Sequence, residues 1–219
     1  MRKIILLAIL MTLQLTAFSQ VQFWVDDFEN ATTPSSGTRM PSYNGGNINS
    51  YFLRTTVSNP AVSMVGVPFN VGDTPDSYSN FQGSYFWAGE DHDGLGVSAE
   101  QQIVWNVGIA GKSGISFRGL FAANQMNTPF ENITLGSSHS DYVIVEYSID
   151  GGSYTKLISF YANGTSGIDK GLYEDTNGDL IGDGIGLTKA FTEFSKTISG
   201  TGTNLSIRLR ASMNASNEE

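Results

Sequence analysis

Apolar residues in this chain alternate with polar ones, and beyond its first twenty residues no window carries a helical period, so the chain is constrained to build sheets. The run Leu205-Ser206-Ile207-Arg208-Leu209-Arg210 alternates cleanly, with both arginines on the solvent side. Strands are expected over Val21–Phe28, Tyr51–Val57, Ser84–Ala88, Gln101–Val107, Ile115–Phe121, Tyr142–Ile149, Tyr154–Tyr161, Phe191–Ile198 and Leu205–Met213. In the sixth of these, Val143, Val145 and Tyr147 share an apolar face, while Tyr142 and Ile144 flank Glu146 on the other, so both faces are expected to be partly covered. Asp150-Gly151-Gly152 then reads as a hairpin turn. Helical structure is limited to short turns near Ser98–Gln101 or Leu187–Phe191.

Short strands, 25 glycines and long Gly/Ser/Asn/Pro-rich loops at Thr32–Asn49 and Asn124–Ser138 predict an all-β fold, an antiparallel β-sandwich of the jelly-roll kind. The sequence stops at Glu219 soon after a strong strand, which predicts a sandwich lacking its last strand and a chain that is a piece of something longer.

Residues 1–19 have the form of a secretory signal. Arg2-Lys3 precede an apolar stretch from Ile4 to Leu15, and Ala17-Phe18-Ser19 is a small-x-small cleavage site. That stretch is short of the roughly 20 residues a membrane span requires. Cleavage leaves residues 20–219 as a single domain, secreted or at the cell surface, with no membrane span. Losing Arg2 and Lys3 also moves the formal charge from −9 to −11, a balance that repels phosphate backbones and argues against nucleic-acid partners. The absence of cysteine in an exported chain favours a bacterial envelope setting and calls for a staple other than disulfides.

Three stretches carry a resemblance: Trp24-Val25-Asp26-Asp27-Phe28-Glu29, Tyr85-Phe86-Trp87-Ala88-Gly89-Glu90-Asp91-His92-Asp93, and Asp141 through Gly152. Together they resemble jelly-roll modules of secreted bacterial proteins, broadly similar to the MAM and concanavalin-like sandwich group. The signal ending Phe18-Ser19-Gln20 is similar to those of the Bacteroidetes. The resemblance implies Ca²⁺ shared by an acidic first strand, an acidic mid-chain loop and an Asp near the last strand; the MAM cysteines are absent and the third element would fall beyond Glu219. It also implies further domains downstream in the same polypeptide.

Two acidic clusters are candidate metal sites. Asp175, Asn177, Asp179 and Asp183 follow the D-x-N-x-D order of the first half of an EF-hand loop, with Gly178 to bend the backbone and Asp183 replacing the missing twelfth-position Glu. The same residues also make ordinary solvated turns. The second cluster is Glu90-Asp91-His92-Asp93, joined by Glu29 or Asp27, in which Glu29, Asp91 and Asp93 are the candidate ligands. Oxygen donors without cysteine favour a hard cation, Ca²⁺ rather than zinc.

Catalytic patterns are weaker. No Glu-x-Asp-x-x-Glu strand sets two carboxylates on one face, and no Gly-x-Ser-x-Gly elbow occurs. Asn106 through Ser113 lacks the first glycine of a phosphate loop and runs into a strand. The tryptophans, Trp24, Trp87 and Trp105, lie in apolar strands and read as core, whereas Tyr43, Tyr51 and Tyr78 flank loops and are candidates for an exposed platform. The reading is a non-catalytic, calcium-binding module for a glycan or a surface protein, or an accessory part of a larger secreted protein. The alternative is a polysaccharide-active jelly-roll enzyme, or the N-terminal part of an extracellular hydrolase.

Overall fold

The computed structural model describes residues 21–47, 50–56, 78–123, 130–163 and 171–215. The expected signal sequence, part of the expected 124–138 loop and everything past 215 lie outside them. Among the described residues eleven strands follow in order: β1 Thr38–Pro41, β2 Gly45–Gly46, β3 Tyr51–Thr55, β4 Phe86–Glu90, β5 Glu100–Gly108, β6 Ser116–Phe121, β7 Tyr142–Ile149, β8 Thr155–Ala162, β9 Leu172–Glu174, β10 Thr192–Thr197 and β11 Asn204–Ser212. Two single 3-10 turns, His92–Leu95 and Ile133–Leu135, are the helical structure among the described residues. None of it is long and apolar enough to cross a membrane.

The protein is an all-β antiparallel sandwich. One layer is a six-stranded sheet in the order β1-β5-β11-β7-β8-β9. The facing layer comes in two parts, β2-β3-β4 and β6-β10. Every second residue of β5, β11, β7 and β8 points inward: Ile103, Trp105, Val107, Leu205, Ile207, Val145, Tyr147, Ile158 and Phe160 belong to one buried core. Phe52 and Trp87 reach that core from β3 and β4, with ring centroids 5.2 Å apart. From the other part of the facing layer, Phe194 meets Phe160 edge to face at 4.8 Å. The opposite face of β3-β4 is covered too, by a second cluster of Tyr51, Tyr78, Phe86 and Ala88 with Phe81 and Phe191.

Eight of the nine expected strands are present, with ends shifted by a residue or two. Val21–Phe28 is the exception. Asp26 Oδ1 accepts from Phe28 N at 3.1 Å and Asp27 Oδ1 from Glu29 N at 3.1 Å, so these side chains supply the partners a ladder would have supplied. Phe28 accordingly takes a positive φ of 61°. The first strand is instead Thr38–Pro41, which with the short β2 lies inside a stretch expected to be a loop; the short β9 falls outside the expected strands.

β11 does not end the sheet as an exposed edge. It runs between β5 and β7, in nine-residue register with β5. The expected hairpin is formed: Asp150 and Gly151 both have positive φ, 49° and 77°, as a type I′ turn requires. The tryptophans pack into or against the core as expected, whereas the tyrosine platform is not formed. Tyr51 and Tyr78 are buried in the second cluster, and Tyr43 packs against the main core.

Candidate functional site

The Asp175–Asp183 loop hangs from β9 and is closed by its own side chains. Asp175 is buried beneath it. Its Oδ1 accepts from Gly178 N at 2.6 Å, and its Oδ2 faces Lys156 Nζ at 3.2 Å, Leu180 N at 3.3 Å and Ser159 Oγ at 3.4 Å. Asn177 and Asp179 meet at the exposed tip, Nδ2 donating to Oδ2 at 3.2 Å. Asp183 turns away to accept from both N and Oγ1 of Thr176 at 2.8 Å, which holds its carboxyl below the usual range. The loop therefore pairs Asn177 with Asp179 and leaves Asp175 and Asp183 on separate partners. The cation already touching Asp175 is the Lys156 ammonium.

The run Glu90-Asp91-His92-Asp93 splits by direction. Glu90 and His92 are fully buried. Asp91, in the left-handed region at φ 42°, accepts from Ser50 Oγ at 2.7 Å. Burial, and then the Asp91 carboxylate hydrogen-bonded to it, push Asp93 up. Glu29 does not join them. Its Oε1 accepts from Ser84 N at 2.5 Å and Tyr85 N at 3.0 Å, at the start of β4. Asp91 follows the other end of that strand, about 20 Å from Tyr85 at the usual rise per residue. Among the described residues no three acidic or histidine side chains converge as a metal site.

Asp26, outside the expected ligand set, forms the buried ion pair of that region. It binds Arg39 Nη1 through both oxygens at 2.8 and 3.0 Å and accepts from Trp105 Nε1 at 2.7 Å. Both charged side chains are almost wholly buried. The sequence signal was present, since an Asp next to strand-like apolar residues needs a partner when buried, but the partner lies 13 residues on, in a stretch read as loop.

The outer face of the six-stranded sheet holds a polar and aromatic ladder. Arg208 and Arg210, two apart on β11, both point there, as their alternation predicts. Arg208 donates to Glu146 Oε2 from Nε at 2.9 Å and Nη2 at 2.7 Å, and lies 3.8 Å over the Tyr154 ring. Arg210 donates to Glu146 from Nε at 3.1 Å and to Glu100 Oε2 from Nη1 at 2.7 Å. The Tyr142 hydroxyl donates to the same Glu100 oxygen. Burial raises the Glu146 pKa, but hydrogen bonds from Arg210 and Arg208 outweigh it and hold the carboxyl below the usual range. The ladder is fixed in place yet reaches solvent: about a quarter of each arginine side chain is exposed.

Neither a scan of protein-family models nor searches of curated proteins and of solved structures found a match to this chain. The fold and these surfaces define its class, an all-β antiparallel sandwich with one ordered polar-aromatic sheet face.

Proposed function

We propose that this chain is an exported, non-catalytic binding module that offers the outer face of its six-stranded sheet to a glycan or a surface protein, alone or as an accessory part of a larger secreted protein. The observation that carries the proposal is the Tyr154-Arg208-Glu146-Arg210-Glu100-Tyr142 ladder across β5, β11, β7 and the turn before β8. Tyrosine rings offer apolar faces for stacking, and the arginines and glutamates hold one another at fixed positions with edges open to solvent. Little side-chain freedom is left to lose on binding, which favours affinity.

The enzyme reading has one observation in its favour, two carboxylates on one sheet face bridged by Arg210. A glycosidase needs one of its pair held protonated. Two guanidinium groups on Glu146 press it the opposite way. Glu146 is therefore unsuited to the acid role.

Calcium enters the proposal through the Asp175–Asp183 loop. It would add to Asn177 and Asp179 and reach Asp175 by displacing the Lys156 ammonium, so binding would be weak while that lysine is present. Glu29 is too far from Asp91 and Asp93 to share an ion with them.

The test is titration of the purified chain with neutral and acidic oligosaccharides, alongside a reducing-end assay on the same polysaccharides. Saturable binding that Tyr154→Ala weakens about tenfold, without release of new reducing ends, is the expected result. Release of reducing ends that Glu146→Gln abolishes would give the surface to the enzyme reading. Failure to bind any oligosaccharide tested would remove the glycan arm.

A further inference from the structure

An asparagine followed by glycine can close its side chain onto its own backbone, because glycine has no Cβ to shield the attacking nitrogen. The sequence holds three such pairs, Asn44-Gly45, Asn163-Gly164 and Asn177-Gly178. Both members of the first and third are described. In the first, Gly45 is held in β2 opposite Phe52. In the third, both residues are exposed on the acidic loop, and Gly178 has a positive φ of 84°.

Three hydrogen bonds meet on the atoms that such a closure would use. Asn177 Oδ1 accepts from Asp179 N at 2.9 Å, an Asx turn whose ring includes both the side-chain carbonyl carbon and Gly178 N. That bond also polarises the carbonyl toward attack. Gly178 N donates to Asp175 Oδ1 at 2.6 Å, so a carboxylate oxygen already faces the proton that the nitrogen must lose. Asn177 Nδ2, the nitrogen that must leave, donates to Asp179 Oδ2 at 3.2 Å. Electrophile, nucleophile and leaving group each have a partner in place, at a site open to water.

We propose that Asn177 is a self-modification site, at which the loop's own backbone converts the asparagine to aspartate or isoaspartate. Gly178 N attacks the side-chain carbonyl carbon of Asn177, and its proton passes to Asp175 Oδ1. The bond from that carbon to Nδ2 breaks, and the nitrogen takes the proton and departs as ammonia. A five-membered succinimide remains. Water then opens the ring at either of its two carbonyl C–N bonds, giving aspartate or isoaspartate, and no other reactant is required. The product has a carboxylate where Asn177 donated to Asp179, so like charges face each other across the tip. This site depends neither on the reading of the sheet face nor on calcium.

The experiment incubates the purified full chain at neutral pH, in buffer and in guanidinium chloride. The Asn-Gly peptides are then followed by mass spectrometry after proteolysis. In the folded chain Asn177 should convert about tenfold faster than Asn44, the rate equivalent of one hydrogen bond to a charged group. In denaturant, where the loop contacts are gone, the two rates should meet. Asp175→Asn keeps an acceptor for Gly178 N but removes its charge, and should return Asn177 to the Asn44 rate. Asp179→Ala acts at the exposed tip, should slow Asn177 about threefold, and keeps the test open if Asp175→Asn does not fold. No conversion at Asn177, equal rates at Asn44 and Asn177 in the folded chain, faster conversion of Asn177 in denaturant than in buffer, or an unchanged or raised rate in a folded variant would each overturn the proposal.

Discussion

The Lys156 ammonium lies 3.2 Å from Asp175 Oδ2, so the carboxylate at the head of the acidic loop already has a positive partner supplied by β8. A divalent ion would compete with it. Thermal unfolding of the full chain with excess Ca²⁺ and with a chelator should show a small calcium-dependent rise in the midpoint. In Lys156→Met the rise should be larger, because nothing then opposes the ion at Asp175. In Asp175→Ala/Asp179→Ala it should vanish. Identical midpoints with and without calcium in both the unsubstituted chain and Lys156→Met would reduce the loop to a turn closed by its own hydrogen bonds.

Asp26 and Arg39 form the opposite case, a pair with almost no access to solvent. Asp26→Ala would leave Arg39 Nη1 and the Trp105 N–H without their acceptor in the interior, with Asn30 O still on Arg39 Nη2. Breaking a buried ion pair from one side costs about 3–5 kcal/mol, whereas replacing both members with apolar groups of similar size is often nearly neutral. Urea unfolding should therefore show a large loss for Asp26→Ala and a much smaller one for Asp26→Leu/Arg39→Met. Equal losses would mean that the pair contributes more to the fold than its desolvation takes away.

The strands were legible where one face was buried, since burial of alternate residues writes itself into the sequence. β7, β8 and β11 all appear close to their expected limits for this reason. β1 was hidden because Thr38-Arg39-Met40-Pro41 carries its buried arginine where an apolar residue would signal a strand. The first stretch failed for the converse reason: Trp24-Val25 has strand character, but Asp26 and Asp27 spend their carboxylates on the backbone two residues on. Of the candidate site, the local loop contacts, Asn177 with Asp179 and Thr176 with Asp183, follow from sequence neighbours. Lys156 against Asp175 and Arg210 against Glu100 do not, because they depend on which strands lie side by side, and no periodicity records that.

His92 predicts a pH dependence. Its ring is fully buried, packs edge-on to Phe52 at 5.1 Å, and has Nδ1 2.8 Å from Ala99 O. Burial lowers its pKa from 6.5 to about 4, so the unfolded chain binds a proton at this residue that the folded one does not between those values. Stability from this group is complete above pH 6.5 and falls as the pH drops toward 4, by about 3 kcal/mol in total. Chemical denaturation at pH 7, 6, 5 and 4 should show that slope. His92→Asn, which keeps a donor for Ala99 O and does not titrate, should flatten it. An unchanged slope in the variant would assign the acid loss to other groups.

Arg210 makes the final prediction, because it is the guanidinium that bridges Glu100 and Glu146. Arg210→Met removes the Glu100 partner and half of the guanidinium contacts on Glu146, leaving Arg208 alone. At pH 7 the variant should be less stable than the parent by about 1–3 kcal/mol, the range for a lost charged hydrogen-bond partner. The gap should also depend on pH in a stated direction. Glu146 in the parent is held below 4.5, so its contribution is present above that value and is lost as the pH falls through the lowered folded one. Parent and variant should therefore converge under acid conditions, with convergence starting near pH 4.5. Because His92 loses stability equally in both proteins, their difference isolates the ladder. A gap that stays constant down to pH 3 would show that Arg210 acts through packing over the sheet face, with its charge contributing little.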